Sequence, residues 1–102
     1  MTPEVEYLDD ALAEAEDAAR WYAEFSPAAA AGFASELDAA TQAIAEAPNA
    51  WPSHVHGTRR FLLRRFPYSV VYRAEPTRLI VIAVAHARRR PGYWSHRMES
   101  PR

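Results

Sequence analysis

The sequence predicts an α+β fold: a short N-terminal strand, then an antiparallel helix hairpin packed on an antiparallel β-sheet. Three observations predict it. Over the first half of the chain, apolar residues recur at helical spacing in two runs separated by a Ser-Pro break. Over the second half, they alternate or run unbroken in three segments of strand length. The 102 residues are 49 % hydrophobic and 25 % charged, the profile of one globular domain spanning 1–102.

The element order follows from local chemistry. From Thr2 to Leu8, Val5 and Tyr7 alternate with Glu4 and Glu6, which reads as a short edge strand. Asp9 or Asp10 is a suitable N-cap. Leu12, Ala15, Ala19 and Tyr22 then form a helical stripe, widened by Ala18 and Phe25, and the first helix is expected from about Asp10 to about Glu24. Ser26-Pro27 ends this helix and starts the next, because Ser caps well and Pro suits the first helical position. Phe33, Leu37, Ala40 and Ile44 carry the second stripe, from about Pro27 to about Ala47. So short a connection folds the two helices back on each other.

Pro48 to Gly57 reads as a loop, with Trp51 expected to pack back on the helices. The sheet is expected over residues 59–86. Arg59 to Phe66 is its first long strand, with Phe61 and Leu63 on one face and Arg60, Leu62 and Arg64 on the other. Pro67 marks a short connection. Tyr68 to Ala74 then places Tyr68, Val70 and Tyr72 on one face and Ser69, Val71 and Arg73 on the other. Glu75-Pro76-Thr77 is a hairpin turn. Leu79 to Ala85 is apolar on both faces, the mark of a central strand. One helix pair can cover only one face of such a sheet, so the tail from 87 to 102, a partner protein, or both must cover the other.

Charge is divided along the chain. Residues 1–50 hold eleven acids and one Arg, a net of −10, and residues 51–102 hold eleven arginines and two acids, a net of +9. Such asymmetry points to a basic working surface for an anionic or acidic partner. All twelve basic residues are Arg, the better bidentate partner for carboxylate and phosphate. With no Cys, disulfides and thiolate chemistry are excluded. His54 and His56 form an H-x-H pair, but two ligands do not make a metal site, so neither a metal nor another cofactor is expected. There is neither a basic-then-apolar leader nor an apolar run of about 18 residues. A cytoplasmic protein with no membrane segment is expected.

The basic groups gather where the central strand emerges. Arg59, Arg60, Arg64 and Arg65 precede the turn at Pro67, and Arg73 and Arg78 flank the second hairpin. His86, Arg88, Arg89 and Arg90 follow the last strand, and Tyr93, Trp94, His96 and Arg97 close the set. Guanidinium groups interleaved with aromatic rings suit RNA or single-stranded nucleic acid, and they suit an acidic protein surface equally well. Metal-independent RNA cleavage needs a proton acceptor, a proton donor and a cation for the phosphorane. His86, Tyr93 and an arginine such as Arg64 or Arg88 have the chemistry for those roles.

The phrase RRFLLRRFPYSVVYR, followed by LIVIAVAHARRRPGYWSHR, resembles the RelE/ParE superfamily of type II toxin–antitoxin toxins. The specific parts are F-P-Y-x-V-x-Y-R at Phe66 to Arg73 and A-H-x-R-R-x-P-x-Y-W at Ala85 to Trp94, and the resemblance extends from about Val5 to Arg97. It implies a helix pair on an antiparallel sheet and a hetero-oligomer with a cognate antitoxin that wraps and blocks the toxin. The ParE-like side of the superfamily is favoured, because the chain has no Lys and a long helix hairpin. That side implies a protein that binds DNA gyrase, blocks replication and growth, serves plasmid stabilisation and has no catalytic residue of its own. The RelE-like side implies instead a ribosome-dependent mRNA endonuclease using His86, Arg64, Arg88 and Tyr93. On either side, Arg60, Arg65, Arg73, Arg88, Arg89, Arg90, Tyr93 and Trp94 are the residues expected to meet target or antitoxin.

Overall fold

A computed structural model describes residues 2–99. The tail expected over 87–102 is thus seen to residue 99, and residues 100–102 lie outside the described part. The elements are β1 (Glu4–Tyr7), α1 (Asp9–Ala23), α2 (Pro27–Glu46), β2 (Ser53–His54), β3 (Thr58–Leu62), β4 (Tyr68–Ala74) and β5 (Arg78–His86), with a tight turn at Val55–Gly57, where His56 and Gly57 have positive φ, and a 3₁₀ turn at Ser95–Glu99. The strands form one sheet in the order β1-β5-β4-β3-β2. The expected α+β architecture is present, with one refinement. The sheet is antiparallel from β5 to β2, but β1 joins β5 in parallel, Tyr7 opposite Val81. The chain between β1 and β5 contains both helices, so β1 is free to pair with the last strand in the direction that lets Leu8 lead straight into α1.

α2 starts as its sequence dictates. Ser26 is the N-cap, its Oγ accepts from the Ala29 N–H at 2.9 Å, and Pro27 occupies the first turn. α1 departs from expectation at its start. Leu8 is the cap residue, its own N–H donating to the Val81 carbonyl, while Asp9 and Asp10 sit inside the first turn. There they complement the partial positive charge of the exposed N–H groups without capping them.

The face that α1 buries also differs from the predicted stripe. Ala11, Ala15 and Ala18 are buried, whereas Leu12 and Phe25 are 47 % and 68 % exposed. Alanines let the helix backbone settle close against β5, and the larger side chains are left outside. The helix-side core joins these alanines to Phe33, Ala40 and Ile44 of α2 and to Val70, Tyr72, Leu79, Val81 and Val84 of the sheet. Burial of a large apolar side chain contributes roughly 1.5–3 kcal/mol, so the four largest of these dominate the layer.

The F-P-Y phrase is core chemistry. Phe66 and Tyr68 both pack edge-on against Phe33, at 5.4 and 5.3 Å between centroids, and Phe66 also meets Tyr22 at 4.9 Å. The first long strand is shorter than expected. It ends at Leu62, because Leu63 turns inward to donate its N–H to the Tyr68 carbonyl and residues 64–67 bend away. The expected loop at 48–57 contains the two-residue strand β2. Trp51 packs as expected, its ring 4.6 Å from Phe61 and its indole N–H donating to the Ala43 carbonyl.

The second face of the sheet is covered by the tail. Trp94 is 1 % exposed and packs with Val71, Ile80, Ile82 and Ala83, with Tyr93 and Met98 beside it. Among the described residues, no helix is long and apolar enough to cross a membrane.

Candidate functional site

The tail is held in place by a carboxylate on α1. Glu14 lies on the buried arc of that helix, one turn from Ala11 and from Ala18. Its Oε2 accepts from the Tyr93 hydroxyl at 2.6 Å and from Arg97 Nη2 at 2.8 Å. Its Oε1 accepts from Arg97 Nη1 and from the Val84 N–H, both at 3.0 Å. β1 ends opposite Val81, so the outer edge of β5 beyond that point needs other partners. Glu14 takes the Val84 N–H, and Arg97 Nη1 donates to the Ile82 carbonyl at 3.0 Å. Ile82 is the residue that the β4–β5 ladder skips: Val71 faces Ala83, and Tyr72 faces Val81. Two side chains therefore complete an edge that the strand leaves open. Arg97 Nε is buried without a hydrogen bond and faces Asp10 Oδ2 at 3.6 Å.

These contacts set the proton affinities. Burial raises the Glu14 carboxyl, but the bonds from Arg97, Tyr93 and the Val84 N–H outweigh it and hold the group below its ordinary value. Burial, and then the bond to the Glu14 carboxylate, push the Tyr93 phenol well above its ordinary value. The Arg89 guanidinium lies 3.7 Å over the Tyr93 ring.

Concavities open on several sides of this latch. A groove of about 810 Å³ runs between α2 and β3, with Ala39, Ala43, Phe61 and Leu62 in its walls and Arg60, Arg64 and Arg65 along its rim. Two ladder pairs join β2 to β3, Ser53 with Arg59 and His54 with Thr58, and Leu62, 60 % exposed, lies beyond them. A cleft of about 400 Å³ between α1 and the end of β5 is lined by Glu14, Trp21, Tyr68, His86, Arg89 and Tyr93. A notch of about 80 Å³ lies on the opposite face of the sheet, among His54, Arg60, Ser69, His86, Arg89 and Arg90, beside Trp94. The His54 imidazole is held below its ordinary value by burial, then by Arg60 and His56.

The residues singled out in the sequence fall into distinct groups. Arg73 pairs with Glu75 at 2.9 Å, and Arg65 pairs with Glu36 at 3.7 Å. Arg60, Arg64, Arg88, Arg89 and Arg90 have no carboxylate within ion-pair distance among the described residues. Trp94 is turned into the core. His86 and Tyr93 share the cleft, and the His86 Nδ1 accepts from the Arg88 N–H at 3.0 Å. Arg64 lines the α2–β3 groove instead. The predicted stripe runs through Leu12 and so sets Glu14 outside the buried face. A register read from the alanines would have placed an acid on the buried face. No group of three or more potential metal ligands occurs among the described residues.

A search of curated proteins returns no match. Among solved structures, the chain is similar to one from the chromosomal ParDE toxin–antitoxin system of P. aeruginosa, with a TM-score of 0.73 at 18 % identity. The alignment covers 83 % of this chain and 96 % of that one. At this identity the likeness establishes the fold alone. The family model for the ParE toxin of the type II toxin–antitoxin system parDE matches residues 5–91. A match over most of the chain, to a model whose fold the structure shares, means that this protein belongs to the ParE toxin family of type II toxin–antitoxin systems.

Proposed function

We propose that this toxin acts in the cytoplasm by binding DNA gyrase and blocking replication, and that a cognate antitoxin neutralises it from the α2–β3 groove. The observation that carries a binding mode is Tyr93. Its hydroxyl is spent on Glu14, and its proton is held more tightly than in a free phenol, which supports a structural role over proton transfer. The groove suits an antitoxin segment that offers apolar side chains to Ala39, Ala43 and Leu62 and acidic ones to Arg60, Arg64 and Arg65. A supercoiling assay with purified gyrase tests the target. Supercoiling should fall with added toxin and recover with the antitoxin. Unchanged supercoiling at micromolar toxin would sink the proposal.

A second reading, ribosome-dependent mRNA cleavage, draws support from His86, which shares its cleft with Arg89 and Tyr93. Primer extension on mRNA after induction should then show cuts within codons. If His86→Ala and Tyr93→Phe both leave growth inhibition intact, cleavage is not the mode of action.

A further inference from the structure

The charge on this molecule is sorted by place as well as by sequence. At the β4–β5 turn and along the outer edge of β5, arginines are neutralised internally: Arg78 by Glu6 at 2.6 Å and by Glu75 at 3.1 Å, Arg73 by Glu75, and Arg97 by Glu14. At the other end of the sheet the opposite holds. Arg60 projects from β3 opposite Val71, on the face away from the helices, and Arg88, Arg89 and Arg90 follow β5. All four are exposed. The notch that Arg60, Arg89 and Arg90 share with His54, His86 and the Ser69 hydroxyl has no carboxylate in its lining.

We infer that this notch and the arginines around it form a binding site for the phosphate backbone of duplex DNA. The notch is small, about 80 Å³, and its guanidinium, imidazole and hydroxyl groups are donors suited to phosphate oxygens. Two loops close on each other beside it. The turn carrying Gly92 stands against His56, near enough that a Cβ on Gly92 would lie 3.3 Å from His56 Nε2.

A duplex is preferred to a single strand because the surface offers guanidinium groups without a stacking platform. The Trp94 ring is buried, and Tyr93 lies beneath Arg89 and is tied to Glu14. Trp21, an exposed ring that shares a cleft with Arg89, has the carboxylates of Glu14 and Asp17 beside it, which repel a phosphate chain. Cations without stacking rings read the backbone and not the bases. The site requires neither gyrase nor antitoxin, so it stands or falls separately from the proposed target.

Fluorescence anisotropy with a labelled duplex of about 20 base pairs tests the site on the purified chain. Between about 50 and about 200 mM NaCl, log K should fall with log salt at a slope of about −3, for three to four phosphates at about 0.9 each. The triple variant Arg60→Ser, Arg89→Ser, Arg90→Ser should lose affinity by about tenfold or more and flatten the slope by about 2 to 3. Arg20→Ser, Arg73→Ser, Arg78→Ser removes the same net charge elsewhere and should keep most of the affinity. Arg60→Lys, Arg89→Lys, Arg90→Lys keeps the charge and should retain binding, which separates loss of the site from loss of the fold. No binding at the low salt would overturn the inference, as would equal loss in the two serine triples. So would tighter binding to a single strand that Trp21→Ala abolishes, or equally good displacement by poly-glutamate, the sign of a surface for acidic protein.

Discussion

Tyr93 donates its phenolic proton to Glu14 at 2.6 Å, joining the first helix to the tail across 79 positions of sequence. The bond fixes the side chain that flanks Trp94, and with Arg97 it closes the open part of the β5 edge. Glu14 thereby accepts four hydrogen bonds in a site where its side chain is only 19 % exposed and that of Arg97 10 %.

Removing the carboxylate leaves the buried Arg97 with only the Ile82 carbonyl and the more distant Asp10, and the Val84 N–H without its acceptor. Glu14→Ala is expected to cost about 3 kcal/mol, in the range for breaking a buried pair, with Glu14→Gln costing less because its carbonyl can still accept. Tyr93→Phe removes a single bond to a charged group and is expected to cost about 1.5 kcal/mol. Urea denaturation followed by far-ultraviolet circular dichroism measures all three. If Glu14→Ala costs no more than a typical surface change, the latch is not holding the tail.

The same carboxylate gives stability a defined acid limb. Its folded proton affinity lies below the ordinary carboxyl value of 4.5. Glu14 therefore contributes stability that is fully present above that value and is lost as pH falls through the depressed one. His54 adds a second limb nearer neutrality. Its imidazole is held below 6.5, so the unfolded chain binds the proton more readily, and stability falls as pH drops from about 6.5 toward the folded value. Melting temperature against pH should show both limbs, with Glu14→Gln flattening the acid one and His54→Asn the other.

Gly92 is held at φ +81°, where a side chain is strained, and an added Cβ would press on the His56 ring. Gly92→Ala is expected to destabilise by about 1–2 kcal/mol. It should also loosen the cover over Trp94, seen as a red shift of tryptophan emission in native buffer. A melting temperature at or above that of the parent would contradict this account.

Ala39 is exposed on α2 and lines the α2–β3 groove. Ala39→Trp should fill that groove without disturbing the core. On the proposed antitoxin site, affinity for the antitoxin falls at least about a hundredfold, or roughly 2.7 kcal/mol, while the melting temperature of the toxin alone stays within a few degrees. Titration calorimetry with the cognate antitoxin decides this, and unchanged affinity would move the antitoxin elsewhere.

The separate helix start of α2 offers an independent check on how local chemistry is used. Ser26→Ala removes the Oγ that accepts from Ala29 and is expected to cost about 1 kcal/mol, with no effect on the antitoxin titration.

Much of this architecture is set by residues close together in sequence, because the forces involved are local. Ser26-Pro27 starts α2 through a bond spanning three residues, the 3.6-residue repeat of Phe33, Ala40 and Ile44 gives α2 its buried face, and the alternation through Tyr68 to Ala74 assigns Val70 and Tyr72 to the helix side and Val71 to the other. The phrases at Phe66 to Arg73 and Ala85 to Trp94 likewise disclosed the family in one dimension. The tertiary structure alone decided which charges are spent and which remain. Arg97 looks like Arg60 and Arg90 in the chain, yet the carboxylate of Glu14, 83 positions away, neutralises it. The same long-range closure turned Trp94 inward, paired β1 with β5 in parallel and made Glu14 the hub of the tail. An ion pair or a strand edge is a relation between distant positions, and only the folded chain brings both members together.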